Sequence, residues 1–302
     1  MKRENPFQVE HRYEVANGGV MLSTFYGQTV KPGTAEYEHN KHLFWADFYV
    51  HPDHRRRRIG ASWLPVILHL MDLHGCTKVG MGTDEKPGHA FMKWLGADEG
   101  LTGAENRLDL ARVDWAMVAS WAGQGAKRSP RSALEVYDGP IPEAMWADFA
   151  PQLSAMLNTI PVENLDIGQI VVTPDHMRDF NARIELNGEH QHTVLVREPD
   201  GVISGITDVT WAPYSATIIH QQFTGVRLDA RGRGLGKWIK AAMMLHLHDL
   251  YPDARWITTD NAGSNAPMLA INKQLGFRQY RAGTEYQIDR DRLAARVKTL
   301  SS

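Results

Sequence analysis

The run Val226-Arg227-Leu228-Asp229-Ala230-Arg231-Gly232-Arg233-Gly234-Leu235-Gly236 places glycines and arginines between an apolar strand-like segment and an apolar helical one. Gly232, Gly234 and Gly236 allow the backbone to approach a ligand without Cβ clashes. A helix beginning near Leu235 leaves its first amides without internal partners, and its dipole puts positive potential at the turn. Arg231 and Arg233 can add charge-assisted hydrogen bonds. The chemistry this supports is binding of a pyrophosphate. The nucleoside-triphosphate run Gly-x4-Gly-Lys-Ser/Thr does not occur. A dinucleotide fingerprint would need its glycines earlier and an acidic residue ending a second strand. Just upstream stand His220, Gln221 and Gln222. A histidine can take a proton near neutral pH, and strand alternation puts His220 and Gln222 on one face.

Other reactive groups suggest less. Cys76 is the one cysteine, so neither an intrachain disulfide nor a cysteine zinc site can form. The pairs His39/His42, His190/His192 and His246/His248 show no carboxylate or thiol spacing typical of ligands, so they read as surface or core histidines and no metal is expected. Arg55-Arg56-Arg57-Arg58 reads as a solvated cluster at a helix start. With a formal net charge of -2, a nucleic-acid partner is not expected.

The elements that would position these residues follow from periodicity and turn chemistry. Asn17-Gly18 signals a hairpin within Glu14 to Phe25, and Leu43 to Val50 reads as a strand. Ile59 to Leu73 reads as a helix ended by His74-Gly75, and Ala90 to Leu95 as a second helix stopped by Gly96. In the second half, Pro142 to Asn158 and the segment opened by Thr173-Pro174-Asp175 read as helices. His192 to Arg197, Val202 to Val209 and Ala216 to Val226 read as strands. Gly234 to Tyr251 carries Leu235, Trp238, Ile239, Ala242, Met243 and Leu247 at helical spacing, and Pro252 stops it. Trp256 to Thr259 is a strand, Pro267 to Leu275 a helix closed by Gly276, and two short strands around Arg278–Arg281 and Glu285–Ile288 follow.

Both halves thus repeat strand, arginine-rich turn, long helix, short strand, short helix ending in Leu-Gly, strand. A chain of 302 residues, 43% hydrophobic and 23% charged, has the length and composition of two globular domains. The expected division is an N-terminal domain at 1–118, a Gly/Ser/Lys/Arg-rich linker at 119–132 and a C-terminal domain at 133–302. The polar segment Met1 to Glu10 resembles no signal peptide. The longest apolar stretch, Trp63 to Leu73, is short of the roughly 18–20 residues a span needs, so no membrane association and a cytoplasmic location are expected.

Arg231-x-x-Gly234-x-Gly236 resembles the acyl-CoA pyrophosphate loop of the GNAT superfamily of N-acetyltransferases. The segment from Thr259 to Phe277, with its asparagines followed by a helix and Leu275-Gly276-Phe277, resembles the second motif of that family. The resemblance covers about Leu134 to Arg290 well and the first 113 residues more loosely. It implies an α/β (α+β) fold of two tandem acetyltransferase-type domains. Each would be a mixed, mostly antiparallel twisted sheet flanked by helices, with a splayed parallel strand pair holding acyl-CoA. The implied activity is transfer of an acetyl group from acetyl-CoA to a primary amine of a small molecule, by direct attack in a ternary complex. A non-catalytic acyl-CoA-binding regulatory module is the alternative, and a monomer or homodimer is expected.

The resemblance also assigns residues. The pantetheine arm would lie along Thr224, Gly225 and Val226, with the Val226 amide holding the developing oxyanion. The amides of Arg231, Gly232, Arg233, Gly234, Leu235, Gly236 and Lys237 would wrap the pyrophosphate, and Asn261, Asn265 and Asn272 would touch the cofactor. His220 would be the base. The tyrosine acid common in the family is replaced by Asn272, which leaves Tyr280 or Tyr286, or water, for proton return. Trp211, Tyr214, Tyr280 and Tyr286 would line the acceptor pocket. In the first copy Arg58 stands where the loop has its first glycine, and the usual first strand and two helices have no counterpart. The C-terminal copy is therefore expected to carry the catalytic site.

Overall fold

The computed structural model describes residues 4–301; Met1–Arg3, at the start of the polar opening segment, and Ser302 lie outside it. Its strands are β1 (Gln8–Asn17), β2 (Val20–Val30), β3 (Leu43–Val50), β4 (Lys78–Thr83), β5 (Asp98–Asp109), β6 (Ala133–Asp138), β7 (His190–Arg197), β8 (Ile203–Trp211), β9 (Ile218–Val226), β10 (Trp256–Ala262) and β11 (Arg278–Asp289). Its helices are α1 (Tyr37–Asn40), α2 (Ile59–His74), α3 (Lys86–Leu95), α4 (Trp115–Arg128), α5 (Trp146–Leu157), α6 (Pro174–Leu186), α7 (Leu235–Leu250), α8 (Ala266–Leu275) and α9 (Arg290–Ser301). None of these helices is long and apolar enough to cross a membrane.

The chain folds into two compact units whose boundaries differ from the expected ones. Unit 1 comprises the chain up to Thr102, Val162–Gln169, and the chain from Gly283; unit 2 comprises Gly103–Pro161 and Ile170–Ala282. The cause is an exchange of strands. The second half of β5 pairs antiparallel with β10, from Trp256↔Asp109 to Ala262↔Gly103, inside unit 2. The second half of β11 pairs antiparallel with β4, from Thr284↔Thr83 to Asp289↔Lys78, inside unit 1.

In unit 1 the hairpin β1–β2 turns on Gly18 and Gly19, both at positive φ, one residue beyond the predicted pair. β2 pairs antiparallel with β3, and β3 pairs parallel with β4 over Leu43↔Lys78, Phe44↔Val79 and Trp45↔Gly80. The helix α2 buries Trp63, Leu64, Ile67, Leu70 and Met71 along one face, and Gly75 in the left-handed region closes it. Tyr286, Ile288 and Leu293, from the C-terminal end of the chain, complete this core.

In unit 2 the strands β6, β7, β8 and β9 form an antiparallel run that continues through the parallel pair β9–β10 to β5. One face is covered by α7, whose Leu235, Trp238, Ile239, Met243, Met244 and Leu247 pack on Val194, Val209, Ile219 and Ile257. The other face meets Trp146, Phe149 and Met156 of α5. The predicted linker 119–132 is mostly helix: α4 starts on an Asp114 cap whose side chain accepts the Met117 amide. Its apolar side joins the α7 core through Val118, Trp121 and Ala122. Gly125 is needed there, because a Cβ would come to 2.1 Å from the Trp238 ring.

Candidate functional site

The parallel pairing of β9 with β10 lasts three residues: Trp256↔Ile218, Ile257↔Ile219 and Thr258↔His220. Beyond that both strands run on, to Val226 and Ala262, and the ladder opens into a fork. The Arg227 amide donates to the Ser204 carbonyl of β8. Alternation along β9 therefore turns the Val226 and Thr224 amides away from β8, toward the open side.

At the end of β9 the chain enters the glycine turn. Gly232 and Gly234 lie at φ 80° and 82°, a region that L side chains adopt at a cost. Gly234 caps α7 without any side-chain bond, and the first helical bond runs from the Trp238 amide to the Gly234 carbonyl. The Leu235, Gly236 and Lys237 amides are thus left without helical partners. Arg231 donates to the Val226 carbonyl at 3.3 Å and to Thr159 at 3.1 Å, which fastens the turn to the strand. Arg233 is committed elsewhere: it bonds Glu198 at 2.8 Å together with Ser129 and Ser132. Burial works against the Glu198 charge, but hydrogen bonds from Arg233, Ser204 and Ser132 hold its carboxyl at about 2. Arg233 therefore holds the turn in place. A further cationic arm comes from Arg128, at the end of α4, which donates to Gln124 and whose guanidinium lies 3.1 Å from where a Gly234 Cβ would sit. Lys237 Nζ bonds Gln274 at 2.7 Å and lies 4.5 Å from the Trp121 ring centre.

The far side of the fork is polar. Asn261 Oδ1 accepts from Asn272 Nδ2 at 2.8 Å, and Asn272 Oδ1 is buried without a partner. Asn265 caps α8 by accepting the Met268 amide. At the apex the exposed His220 places Nδ1 3.1 Å from Thr258 Oγ1. A bulge between Asp208 and Val209 of β8 leaves Gln222 of β9 outside the register. Gln222 donates to Thr210 Oγ1, and Thr210 faces His220 across the ladder. Asp208 stands two residues from Thr210 on the same face and accepts the Phe223 amide at 3.0 Å. Burial pushes the Asp208 carboxyl up to about 7. The sequence reading missed Asp208, because only the bulge makes its surroundings unusual. Gln221 turns the other way: its amide donates to Thr207, Asp208 O and Phe223 O, and its oxygen accepts from the buried Lys240.

Unit 1 repeats the frame with different contents. Arg55 donates to the Val50 carbonyl as Arg231 does to Val226. Arg56 and Arg58, at φ 64°, take the places of Gly232 and Gly234, and α2 starts uncapped. The last parallel pair is an indole lying on a glycine: a Cβ on Gly80 would come to 2.4 Å from Trp45. Phe48, in the place of Thr224, makes an edge contact with Phe91 at 5.5 Å. Met92 stands where α8 has Asn272. Aromatic side chains fill a space that is polar in unit 2. Away from the fork, unit 1 holds a small cavity of about 90 Å³ beside Lys78 and Asp98.

Several predicted residues lie elsewhere. Tyr286 travels with β11 into unit 1, where it is buried and its hydroxyl is 2.8 Å from His89 Nδ1. Trp211 stacks on Tyr251 at 4.3 Å, Tyr214 bonds Glu189 at the surface, and Tyr280 lies over Arg107. Among the paired histidines, His192 is buried and converges with His246 and the carboxylate of Asp138.

The acetyltransferase (GNAT) family model matches residues 7–97, the half whose turn departs from the family pattern. No curated protein matches the chain. Among solved structures, the chain is similar to a tandem GNAT protein from the clavulanic acid biosynthesis pathway, at 20% identity and TM-score 0.72, covering 95% of this chain and 85% of that one. It is also similar to a GCN5-related N-acetyltransferase from Sphaerobacter thermophilus, at 12% identity and TM-score 0.63, covering 91% and 79%. Residues 7–97 thus match the GNAT family, and the fold of the chain is that of tandem GNAT proteins.

Proposed function

We propose that the chain is an acyl-CoA-dependent N-acyltransferase whose working site is the β9–β10 fork of unit 2, transferring acetyl to a primary amine of a small molecule. The observation that carries this reading is the contrast between the forks. In unit 2 the uncapped α7 amides, the left-handed glycines and the polar lining lie together. The unpartnered Asn272 Oδ1 supports a polar ligand there, since a buried acceptor without a donor costs about 1–3 kcal/mol.

In this reading the Leu235, Gly236 and Lys237 amides hold the pyrophosphate, with Arg128 adding charge, and the β9 amides hold the pantetheine. The Val226 amide stabilises negative charge as it develops on the thioester oxygen. A protonated amine has no lone pair, so a group on the β8–β9 face must take its proton, directly or through water. His220 fills that role, with Asp208 as the competing base. Tyr286 is not the acid, because it is enclosed in unit 1. A ternary complex needs no enzyme nucleophile, and the role of proximity is to make the attack effectively unimolecular.

Calorimetry and thermal unfolding with acetyl-CoA test the proposal. Ligand at 100 times its dissociation constant should add about 2.7 kcal/mol of stability, with one ligand bound per chain. Gly234→Asp should abolish binding and turnover by steric clash and repulsion, whereas Gly60→Asp should leave both nearly intact. The absence of any shift with millimolar acetyl-CoA, propionyl-CoA or CoA would overturn the reading. A second reading has its own support in the preserved backbone of the unit 1 turn: unit 1 holds acyl-CoA without catalysis. Two ligands per chain would establish it.

A further inference from the structure

The C-terminal end of α7, opposite the glycine turn, carries a cluster with no part in acyl transfer. His192 of β7 is 1% exposed. Its Nδ1 lies 3.0 Å from Asp138 Oδ1, at the end of β6, and 3.3 Å from His246 Nε2 on α7. Its Nε2 lies 2.7 Å from the Tyr251 hydroxyl. The ligand atoms of Asp138, His192 and His246 all fall within 4.8 Å of one another.

A chain of ordinary hydrogen bonds can satisfy the Tyr251 and Asp138 contacts of His192, but it gives the approach of the His246 nitrogen no role. A single ring nitrogen carries either one proton or one lone pair. If His192 Nδ1 is protonated and donates to Asp138, the His246 nitrogen at 3.3 Å is left over; if it is a lone pair, the carboxylate oxygen faces it unfavourably. A shared cation resolves both contacts. Metal–ligand bonds of about 2.0–2.1 Å in a tetrahedron place donor atoms about 3.3 Å apart, close to the two shorter separations. With the cation bound, the Tyr251 hydroxyl would accept from Nε2–H, leaving Nδ1 to coordinate and fixing the ring, the usual part of an outer hydrogen-bond partner at a metal site.

We propose that Asp138, His192 and His246 form a site for a divalent first-row transition metal, Zn²⁺ by donor set, that ties the end of edge strand β6 to β7 and α7. Two imidazoles and one carboxylate suit Zn²⁺ better than Ca²⁺ or Mg²⁺, which take oxygen ligands.

The test uses the full chain stripped with chelator. Titration with Zn²⁺ should give one ion per chain, with a dissociation constant in the micromolar range or tighter and a raised Tm. Co²⁺ should give the visible absorption of a four-coordinate complex. Asp138→Ala and His246→Gln should each weaken Zn²⁺ binding at least tenfold, while His248→Gln, an exposed histidine on the same helix, should bind like the parent. Should His246→Gln fail to fold, Asp138→Ala decides, because that carboxylate is exposed and its loss leaves the core intact. No uptake of Zn²⁺ by the parent, or unchanged binding in Asp138→Ala, would overturn the site. So would binding lost only in His248→Gln.

Discussion

His220 and Asp208 share one face of β8–β9, but the chain holds them differently. His220 is exposed at the apex of the fork, with Thr258 as a side-chain partner. Asp208 is largely enclosed, and burial raises its carboxyl to about 7, which suits a base working near neutral pH. Between about pH 4 and 7 the folded state keeps a proton on Asp208 that the unfolded chain has lost. Stability from this group is therefore complete below about pH 4 and falls as pH rises toward 7. Asp208→Asn still offers an oxygen to the Phe223 amide, so its Tm should gain on the parent between pH 4 and pH 8. Thermal scans across that range check this, and a constant difference would mean that the carboxyl is not held protonated. Turnover separates the two bases. His220→Ala should lower kcat by about 10²–10⁴-fold without weakening acetyl-CoA binding, whereas a larger loss in Asp208→Asn, with His220→Ala near parent, would transfer the role. The glycine turn was legible in the sequence because its backbone demands are local. Asp208 and Asp138 were not, because their neighbours come from other strands.

The two copies of the strand–turn–helix element separate backbone shape from lining. Arg56 and Arg58 hold unit 1 in the same left-handed turn that Gly232 and Gly234 give unit 2. A non-glycine residue in that region costs of the order of 1–2 kcal/mol. Replacing both arginines by glycine should therefore raise stability, by less than the full strain because glycine also loses more freedom on folding. It should not add a second acetyl-CoA site, since Trp45, Phe48 and Phe91 still occupy the fork. Denaturant melts and calorimetric stoichiometry check both halves of this expectation. A second equivalent site in the double variant would show that the turn alone decides binding. The helix α7 could be read from its periodicity. The helix α4 could not, because glycines, lysine and arginine near its end carry a linker's composition, and what holds it is Gly125 fitting under Trp238. The bulge at Gln222 likewise has no local signature, since it depends on the register with β8.

At the scale of the whole molecule, the order of elements and the repeat were legible, but the partition of the chain was not. Strand pairing between segments distant in sequence leaves no local pattern, and α9 closes unit 1 from the far end of the chain. This has a consequence for folding. A fragment of residues 1–118, the domain expected from the repeat, would lack β11, and so leave the β4 edge without the partner it has from Thr284 to Asp289. It would also lack Tyr286, Ile288 and Leu293, at 5%, 1% and 0% exposure in the unit 1 core. Burying such side chains contributes roughly 1.5–3 kcal/mol each, so their loss is comparable with the whole net stability of a domain, about 5–15 kcal/mol. An unpaired strand edge would also invite association. The fragment should therefore aggregate or unfold without a cooperative transition. Joining residues 283–302 to residues 1–102 through a flexible linker should restore cooperative urea unfolding and the near-ultraviolet dichroism of a packed core. If residues 1–118 alone melt cooperatively, with the midpoint of the joined form, the exchanged strand does not stabilise unit 1, and the boundary near residue 118 describes the folding unit after all.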